Sequence, residues 1–219
     1  MKYTVIIVAA GSGTRMNLGY NKVYASLEDG RTILEHTMDV FLRDEDCTQI
    51  IVVTDALQYM QKITSRWPGK ILIAKGGRTR QESVASGLRA VLEDVVMIHD
   101  GARPFLADES LQALKQAMET EEAALLAVPC KDTIKKHENG YIVTTYERDT
   151  LCAAQTPQAF RTSLIMECME KAFRDGYTGT DDCSLAEKYS DAKIRVVEGS
   201  YGNLKVTTPE DLGRQGKSC

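Results

Sequence analysis

Tyr3-Thr4-Val5-Ile6-Ile7-Val8, running into Ala9-Ala10-Gly11-Ser12-Gly13-Thr14-Arg15-Met16, is the stretch from which the fold can be read. The apolar run reads as a strand buried on both faces. Glycines at 11 and 13 let the backbone turn tightly and gather N–H groups into one concavity that suits phosphate oxygens. Arg15 adds a permanent charge with a two-pronged fork, and Lys22 supplies a second cation shortly after it. A dinucleotide fingerprint would need a third glycine where Met16 stands, and no G-x-x-x-x-G-K-[ST] string occurs. Nicotinamide-type dehydrogenases and P-loop nucleotidases are both disfavoured.

Apolar runs of the same kind recur at Gln49–Thr54, Lys70–Ala74, Val95–His99, Ala123–Val128 and Lys193–Glu198. Between them, Ile33, Leu34, Thr37, Met38, Phe41 and Leu42 keep helical spacing behind the cap residue Thr32. Ala56–Trp67 is helical in pattern up to the stop at Pro68-Gly69. Thr79 and Glu82 form a capping-box pair ahead of Val84, Leu88, Val91 and Leu92, and Asp108 caps a helix carrying Leu111, Leu114 and Met118. Cys183 to Tyr189 reads as a late helix, Lys205 as part of a short strand, and Thr207 to Asp211 as a capped helix start with Pro209 at its first position. Such repetition predicts an α/β chain: a single Rossmann-like domain over residues 1–219, with a mostly parallel twisted sheet flanked by helices and ligands at the carboxyl ends of its strands.

The 27 Lys and Arg against 31 Asp and Glu, a formal charge of −4, disfavour a protein held to nucleic acid or anionic lipid by bulk electrostatics. An anionic ligand must meet a local basic cluster. The six cysteines are scattered, with no C-x-x-C pair, and read as thiols of a reducing cytoplasm rather than zinc ligands. The opening apolar stretch is too short for a signal sequence or a membrane span.

Lys131 to Leu151 breaks the strand–helix rhythm. Asp132–Lys136 and Tyr141–Thr145 are β-rich and joined through Glu138-Asn139-Gly140, a strong hairpin signal, giving a β-hairpin arm over 131–151. An isolated ribbon is marginal in water, so the arm is expected to project and dimerise with a second chain; the alternative is a hairpin lying on its own sheet edge.

Val8 to Met16 with Asn21-Lys22 resembles the signature of nucleotidyltransferases acting on sugar or polyol phosphates. Gly76-Gly77-Arg78-Thr79-Arg80-Gln81-Glu82-Ser83-Val84, His99-Asp100-Gly101-Ala102-Arg103-Pro104-Phe105, Gln155-Thr156-Pro157-Gln158-Ala159-Phe160 and Asn203 to Leu212 narrow this. Together they resemble the 2-C-methyl-D-erythritol 4-phosphate cytidylyltransferase family, in the family's order and over nearly the whole chain. The resemblance implies transfer of CMP from CTP to 2-C-methyl-D-erythritol 4-phosphate in non-mevalonate isoprenoid precursor synthesis, with Mg²⁺ held mainly by the CTP phosphates and little ligation by the protein, no metal ligand being singled out. It implies Arg15, Lys22 and Lys205 as catalytic cations. Nucleotide contacts would come from Ala9, Ala10, Gly11, Ser12, Gly13, Gly77, Arg80, Ser83, Asp100 and Gly101. Contacts to the second substrate would come from Arg103, Thr156 and Thr180, and from Thr133 and Arg148 reaching across a homodimer interface.

On the residues alone, alternatives stay open. Gly76-Gly77 can simply turn the chain, Asp100 and Arg103 can be an ion pair that only fixes a turn, Asp182 can be a helix-start charge, and Arg148 between two acids can be an exposed ion-paired residue. The ribitol 5-phosphate cytidylyltransferases share several of these blocks, and Gly101 keeps that acceptor open; a nucleotide sensor without catalysis is a second alternative. Arg78 stands where some relatives carry an acid. His36, His99 and His137 have no Ser or Cys nucleophile in a recognisable arrangement, so core or surface roles are expected for them. The tail from Gly213 to Cys219 is expected to fray.

Overall fold

The computed structural model describes residues 1–11, 20–64, 67–208 and 211. At its centre, β1 (Tyr3–Val8) pairs in parallel with β2 (Cys47–Val53) on one side and β4 (Val95–Asp100) on the other. Beyond β2 lies β3 (Ile71–Ala74). Beyond β4 come β8 (Cys152–Arg161), β5 (Ala123–Pro129) and the edge strand β9 (Ile194–Glu198), giving the order β3-β2-β1-β4-β8-β5-β9. β8 runs antiparallel to both neighbours and the other pairings are parallel. The chain winds outward from β1 to β3 and then returns to place β4 on β1's other side, so the strand order reverses between β1 and β4. In an open α/β sheet that reversal opens a crevice at the carboxyl ends.

Alternation along β1 sends Tyr3, Val5 and Ile7 to one face and Ile6 to the other. The first face is covered by α1 (Ile33–Arg43), α2 (Leu57–Thr64) and α4 (Asp108–Ala117), through Leu34, Met38, Phe41, Met60, Leu111 and Leu114. The second is covered by α3 (Arg80–Leu88), α5 (Thr162–Arg174) and α6 (Asp182–Tyr189), through Val84, Leu88, Ile165, Met169 and Leu185. Burying each of these large side chains stabilises by about 1.5–3 kcal/mol. Among the described residues no helix is long and apolar enough to cross a membrane.

The six apolar runs all form strands, and Thr32 and Glu35 form a reciprocal capping box on α1. Several local expectations are corrected. Thr79 caps α3, but the Glu82 carboxylate turns to the Arg78 N–H at 2.8 Å and its guanidinium at 2.9 Å instead of closing the box; α3 ends at Leu88, leaving Leu92 exposed. The N-cap of α4 is Ala107, and Asp108 is already helical. α2 is shorter than its pattern. Lys205 lies in no strand: its segment has no regular secondary structure and is tied down by the Val206 N–H donating to Ala102 O at 2.8 Å. Thr207 and Thr208 N–H groups converge on Asp211 Oδ2, while Pro209, Glu210 and the tail after Leu212 lie outside the described residues.

β8 is the element the sequence reading lacked. Pro157 carries no N–H and argues against a central strand, and the β5–β8 register shifts between Leu125 and Ala127 to accommodate it. The hairpin exists as β6 (Lys135–Glu138) and β7 (Tyr141–Thr145), closed by Asn139 and Gly140 at φ 50° and 84°, the left-handed pair a tight hairpin turn needs. It forms its own two-stranded sheet, separate from the main one, and residues 131–150 are all exposed. The alternative of a hairpin on its own sheet edge is thereby overturned.

Candidate active site

A cavity of about 540 Å³ opens at the carboxyl ends of β1 and β4. Its walls come from Val8 to Gly11, the turn Asn21 to Val23, Gly77 to Arg80 with Ser83, Asp100 to Ala102, and Lys205. Of the residues expected at a nucleotide site, Ala9, Ala10, Gly11, Gly77, Arg80, Ser83, Asp100 and Gly101 line it, as do Lys22 and Lys205. Ser12, Gly13 and Arg15 lie outside the described residues.

Each wall is held by local chemistry. The Asn21 side chain donates to Ala9 O at 2.5 Å and accepts from Val23 N at 3.2 Å, which fastens the Lys22 turn to the end of β1. Ser83 Oγ accepts from Gly77 N at 3.0 Å and donates to Thr79 O at 2.9 Å, folding the glycine segment onto the first turn of α3. A Cβ on Gly77 would collide with Glu82 and stand 2.9 Å from Ser83 N, so this wall is backbone by necessity.

The floor is ionic. Asp100 Oδ2 lies 2.7 Å from Lys205 Nζ and 3.8 Å from Arg103 Nε, and Asp100 Oδ1 accepts from Arg80 Nε at 3.3 Å. Burial alone would raise the Asp100 pKa, but Arg80, Lys205 and Arg103 hold it well below the usual carboxylate range. Arg80 Nη2 also donates to Asp182 Oδ2 at 2.7 Å, so Asp182 is a buried partner of the site and more than a helix-start charge. Arg103 Nη1 donates to Asn203 O at 2.6 Å. Asn203, fully buried, donates to Thr156 O at 2.9 Å and so presses the Lys205 segment against β8. Lys22, Arg80, Arg103 and Lys205 thus outnumber Asp100 and Asp182, and positive charge concentrates here on a chain of net charge −4. Among the described residues Asp100 is the one carboxylate that lines the cavity, and they hold no cluster of metal-ligating side chains.

Beneath the floor, His99 Nε2 must carry the proton, because its partner at 3.1 Å is the Arg103 carbonyl, which only accepts. Nδ1 therefore accepts from Thr156 Oγ1 at 3.1 Å, and that oxygen in turn accepts from Asp100 N at 3.0 Å. The Thr156 hydroxyl is spent on orienting Asp100. Burial pushes His99 down to about 4. The unfolded chain therefore binds a proton that the folded chain refuses between pH 6.5 and 4; the stability from neutral His99 is complete above 6.5 and lost as pH falls through that window. Urea midpoints should drop on acidification through this range, and a His99→Gln variant should lack that share of the drop. Equal pH slopes for the two proteins would contradict the assignment.

Thr180 is exposed, two residues ahead of Asp182, and does not line the cavity. Thr133 and Arg148 stand on the arm and are not brought to this chain's own cavity; Arg148 Nη1 donates only to Lys131 O, at 3.3 Å. Gln158 and Asn203 were missing from the expected site, and Asp182 was noted only within Thr180-Asp181-Asp182, which resembles a Thr-Asp element of the family, with a helix-start charge as the alternative. Polar residues within motif blocks were the available signal, but their burial is a tertiary fact.

A family model described as 2-C-methyl-D-erythritol 4-phosphate cytidylyltransferase matches residues 3–216. The enzyme of that name from Halalkalibacterium halodurans is 44% identical over 218 residues, covering 97% of this chain and 94% of that protein. The one from Geobacillus kaustophilus is 45% identical over 217 residues, covering 97% and 94%. Among solved structures, the 4-diphosphocytidyl-2C-methyl-D-erythritol synthase of Anaerococcus prevotii superposes with a TM-score of 0.86 at 36% identity, over 96% of this chain and 92% of that one. The Francisella tularensis 2-C-methyl-D-erythritol 4-phosphate cytidylyltransferase gives 0.84 at 30% identity over 97% of both.

Proposed function

Since the chain belongs to the 2-C-methyl-D-erythritol 4-phosphate cytidylyltransferase family and is a cytidylyltransferase, we propose that its cavity joins CTP to 2-C-methyl-D-erythritol 4-phosphate, as follows. A phosphate oxygen of the acceptor attacks the α-phosphorus of CTP in line. The new O–P bond forms as the bond to the β-phosphate oxygen breaks, and pyrophosphate leaves with that electron pair. The observation that carries this reading is the ring of cations around Asp100 at the β1–β4 crevice.

The acceptor phosphate is already anionic at neutral pH, so no general base is needed. His99, buried with both ring nitrogens occupied, is not one. What the reaction needs is cations fixed in advance where two anions meet. Lys22, Arg80 and Lys205 supply them within the cavity, and Arg15 is assigned the same task from its place in the glycine-rich segment. Gly77, folded onto the start of α3, forms the wall assigned to the base, and Asp100 accepts from a ribose hydroxyl. Arg103, held by Asn203 O, and Thr180 belong to the acceptor side. With one carboxylate among its described lining residues, the cavity fits a Mg²⁺ that would be bound mainly by nucleotide phosphates, and Asp100 is the side chain that would help to hold it. When bound, the ion neutralises charge on the departing pyrophosphate.

The arm is assigned to a homodimer, with Thr133 and Arg148 completing the partner's acceptor site. In support, Ile134, Tyr141, Ile142, Val143 and Tyr146 on the arm are exposed apolar side chains on a ribbon with no sheet behind it. The five described cysteines are free thiols, which supports a cytoplasmic setting.

The test is pyrophosphate release with CTP and either 2-C-methyl-D-erythritol 4-phosphate or ribitol 5-phosphate. Release is expected with the erythritol acceptor and at least about tenfold slower with ribitol, the discrimination that a few polar contacts to a substrate provide. Faster turnover of ribitol 5-phosphate would reassign the acceptor. CTP binding without turnover of either would make the protein a sensor.

A further inference from the structure

Two buried glutamines grip the segment ahead of α6 and its first turn, and the chemistry above uses neither. Gln81, in the first turn of α3, donates from Nε2 to Tyr177 O at 3.0 Å and accepts from Gly179 N at 2.9 Å. Gln158, 1% exposed in β8, accepts on Oε1 from Asp182 N at 3.1 Å and from Cys183 N at 3.0 Å, and donates from Nε2 to Asp181 Oδ2 at 2.7 Å. The amide can face only this way, because backbone N–H groups only donate and an ionised carboxylate only accepts. Asp181 Oδ1 takes Ser184 N at 2.9 Å, so the first three N–H groups of α6 are satisfied by these two side chains. The segment has no slack: a Cβ on Gly179 would stand 2.5 Å from Ser184 Oγ.

From the start of α6 the connection runs into the cavity. Asp182 follows Asp181 directly, and its buried carboxylate holds Arg80 at 2.7 Å, while Arg80 Nε reaches Asp100 at 3.3 Å. A guanidinium anchored at two carboxylates cannot rotate away; anchored at one, it can. An apolar residue at 158 would strand two buried backbone donors and take from Asp181 the amide that holds its second oxygen, and the helix start would shift to find other partners.

We infer that Gln158 is a positioning residue for cytidylyl transfer: it sets the start of α6 so that Asp182 clamps Arg80 against Asp100, with Gln81 steadying the Thr180 side of the same segment. This rests on the cytidylyltransferase reading of the cavity. Gln158→Leu removes all three hydrogen bonds at similar volume. The folded variant is expected to lose about a hundredfold in kcat/KM for CTP, the scale of loss when a reacting group is misplaced by about an ångström. Its Arg80 Nε–H proton should exchange with water faster than in the parent by NMR. Gln158→Glu keeps the acceptor but sets a second carboxylate against Asp181. Its kcat/KM relative to the parent should recover as pH is lowered and the new acid protonates, because the protonated carboxyl again donates to Asp181. If the leucine variant does not fold, this pH profile decides. A folded leucine variant with the parent's kcat/KM and the parent's Arg80 exchange overturns the inference, as does a glutamate variant whose ratio to the parent is flat with pH. Absence of turnover by the parent overturns the cytidylyltransferase reading instead, and Arg80 exchange in the leucine variant then decides this inference by itself.

Discussion

Turnover by Lys205→Ala and by Lys22→Ala is expected to fall about a hundredfold to a thousandfold each, the usual loss when one preorganised electrostatic group is removed from a site of developing charge. Both lysines line one cavity. Lys205 Nζ now sits 2.7 Å from Asp100 Oδ2, and its nitrogen is positioned by a segment with no secondary structure, held through Asn203 and Val206. Lys22 stands in the turn fixed by Asn21. Neither belongs to an apolar core, so Lys22→Ala should leave the unfolding midpoint nearly unchanged, whereas Lys205→Ala, which takes one of three cations from buried Asp100, should lower it modestly. The expected kinetic signature is a loss in kcat at saturating CTP, measured as pyrophosphate release, with the far-ultraviolet circular dichroism of the folded protein retained. Near-normal kcat in either variant would remove that lysine from the mechanism.

Arg148→Ala is expected to be nearly inactive as a pure protein, yet to regain activity when mixed with inactive Lys22→Ala. In a hybrid dimer the Arg148→Ala subunit keeps its own Lys22 and receives an intact arm from its partner. At full exchange half of the dimers are hybrids with one working site each, so about a quarter of the wild-type rate should return. The physical basis is that Arg148 is exposed and donates only to Lys131 O in its own chain, while the arm is bonded to no strand of the main sheet. No recovery after exchange has been demonstrated with tagged subunits would mean that the arm serves its own chain.

The parallel half of the sheet was legible because each strand is a continuous apolar run between helices whose stripes cover both faces. The glycine-rich turn, Gly77 and Asp100 were legible as site residues for a related reason: each lies at or just past the end of a strand, and in an α/β sheet strand ends converge; Lys22 was legible as a second cation soon after the glycine-rich turn. β8 was not legible. Its Pro157 and its glutamines argue against a buried strand, and they are tolerated only because the neighbouring β5 shifts register and because Gln155 and Gln158 find partners on other elements. Asp182 looked like a helix-start charge for the same reason. Nothing in its local sequence announces Arg80, about a hundred residues earlier, as the group that lets its carboxylate be buried.

By itself, then, the amino-acid order determined the α/β class, the end of the sheet at which a ligand binds, the hairpin turn at Asn139-Gly140 and the excess of cations among the strand-end residues. These follow from periodicity and from backbone rules that act over a few residues. Only the tertiary structure decided which cation meets which carboxylate. Asp100 is shared by Arg80, Arg103 and Lys205, Thr156 turns inward to orient it, and Gln158 sets the helix that carries Asp182. Hydrogen bonds and ion pairs act over about three ångströms of space whatever the separation along the chain, so these partners exist only once the sheet has brought distant segments to one edge.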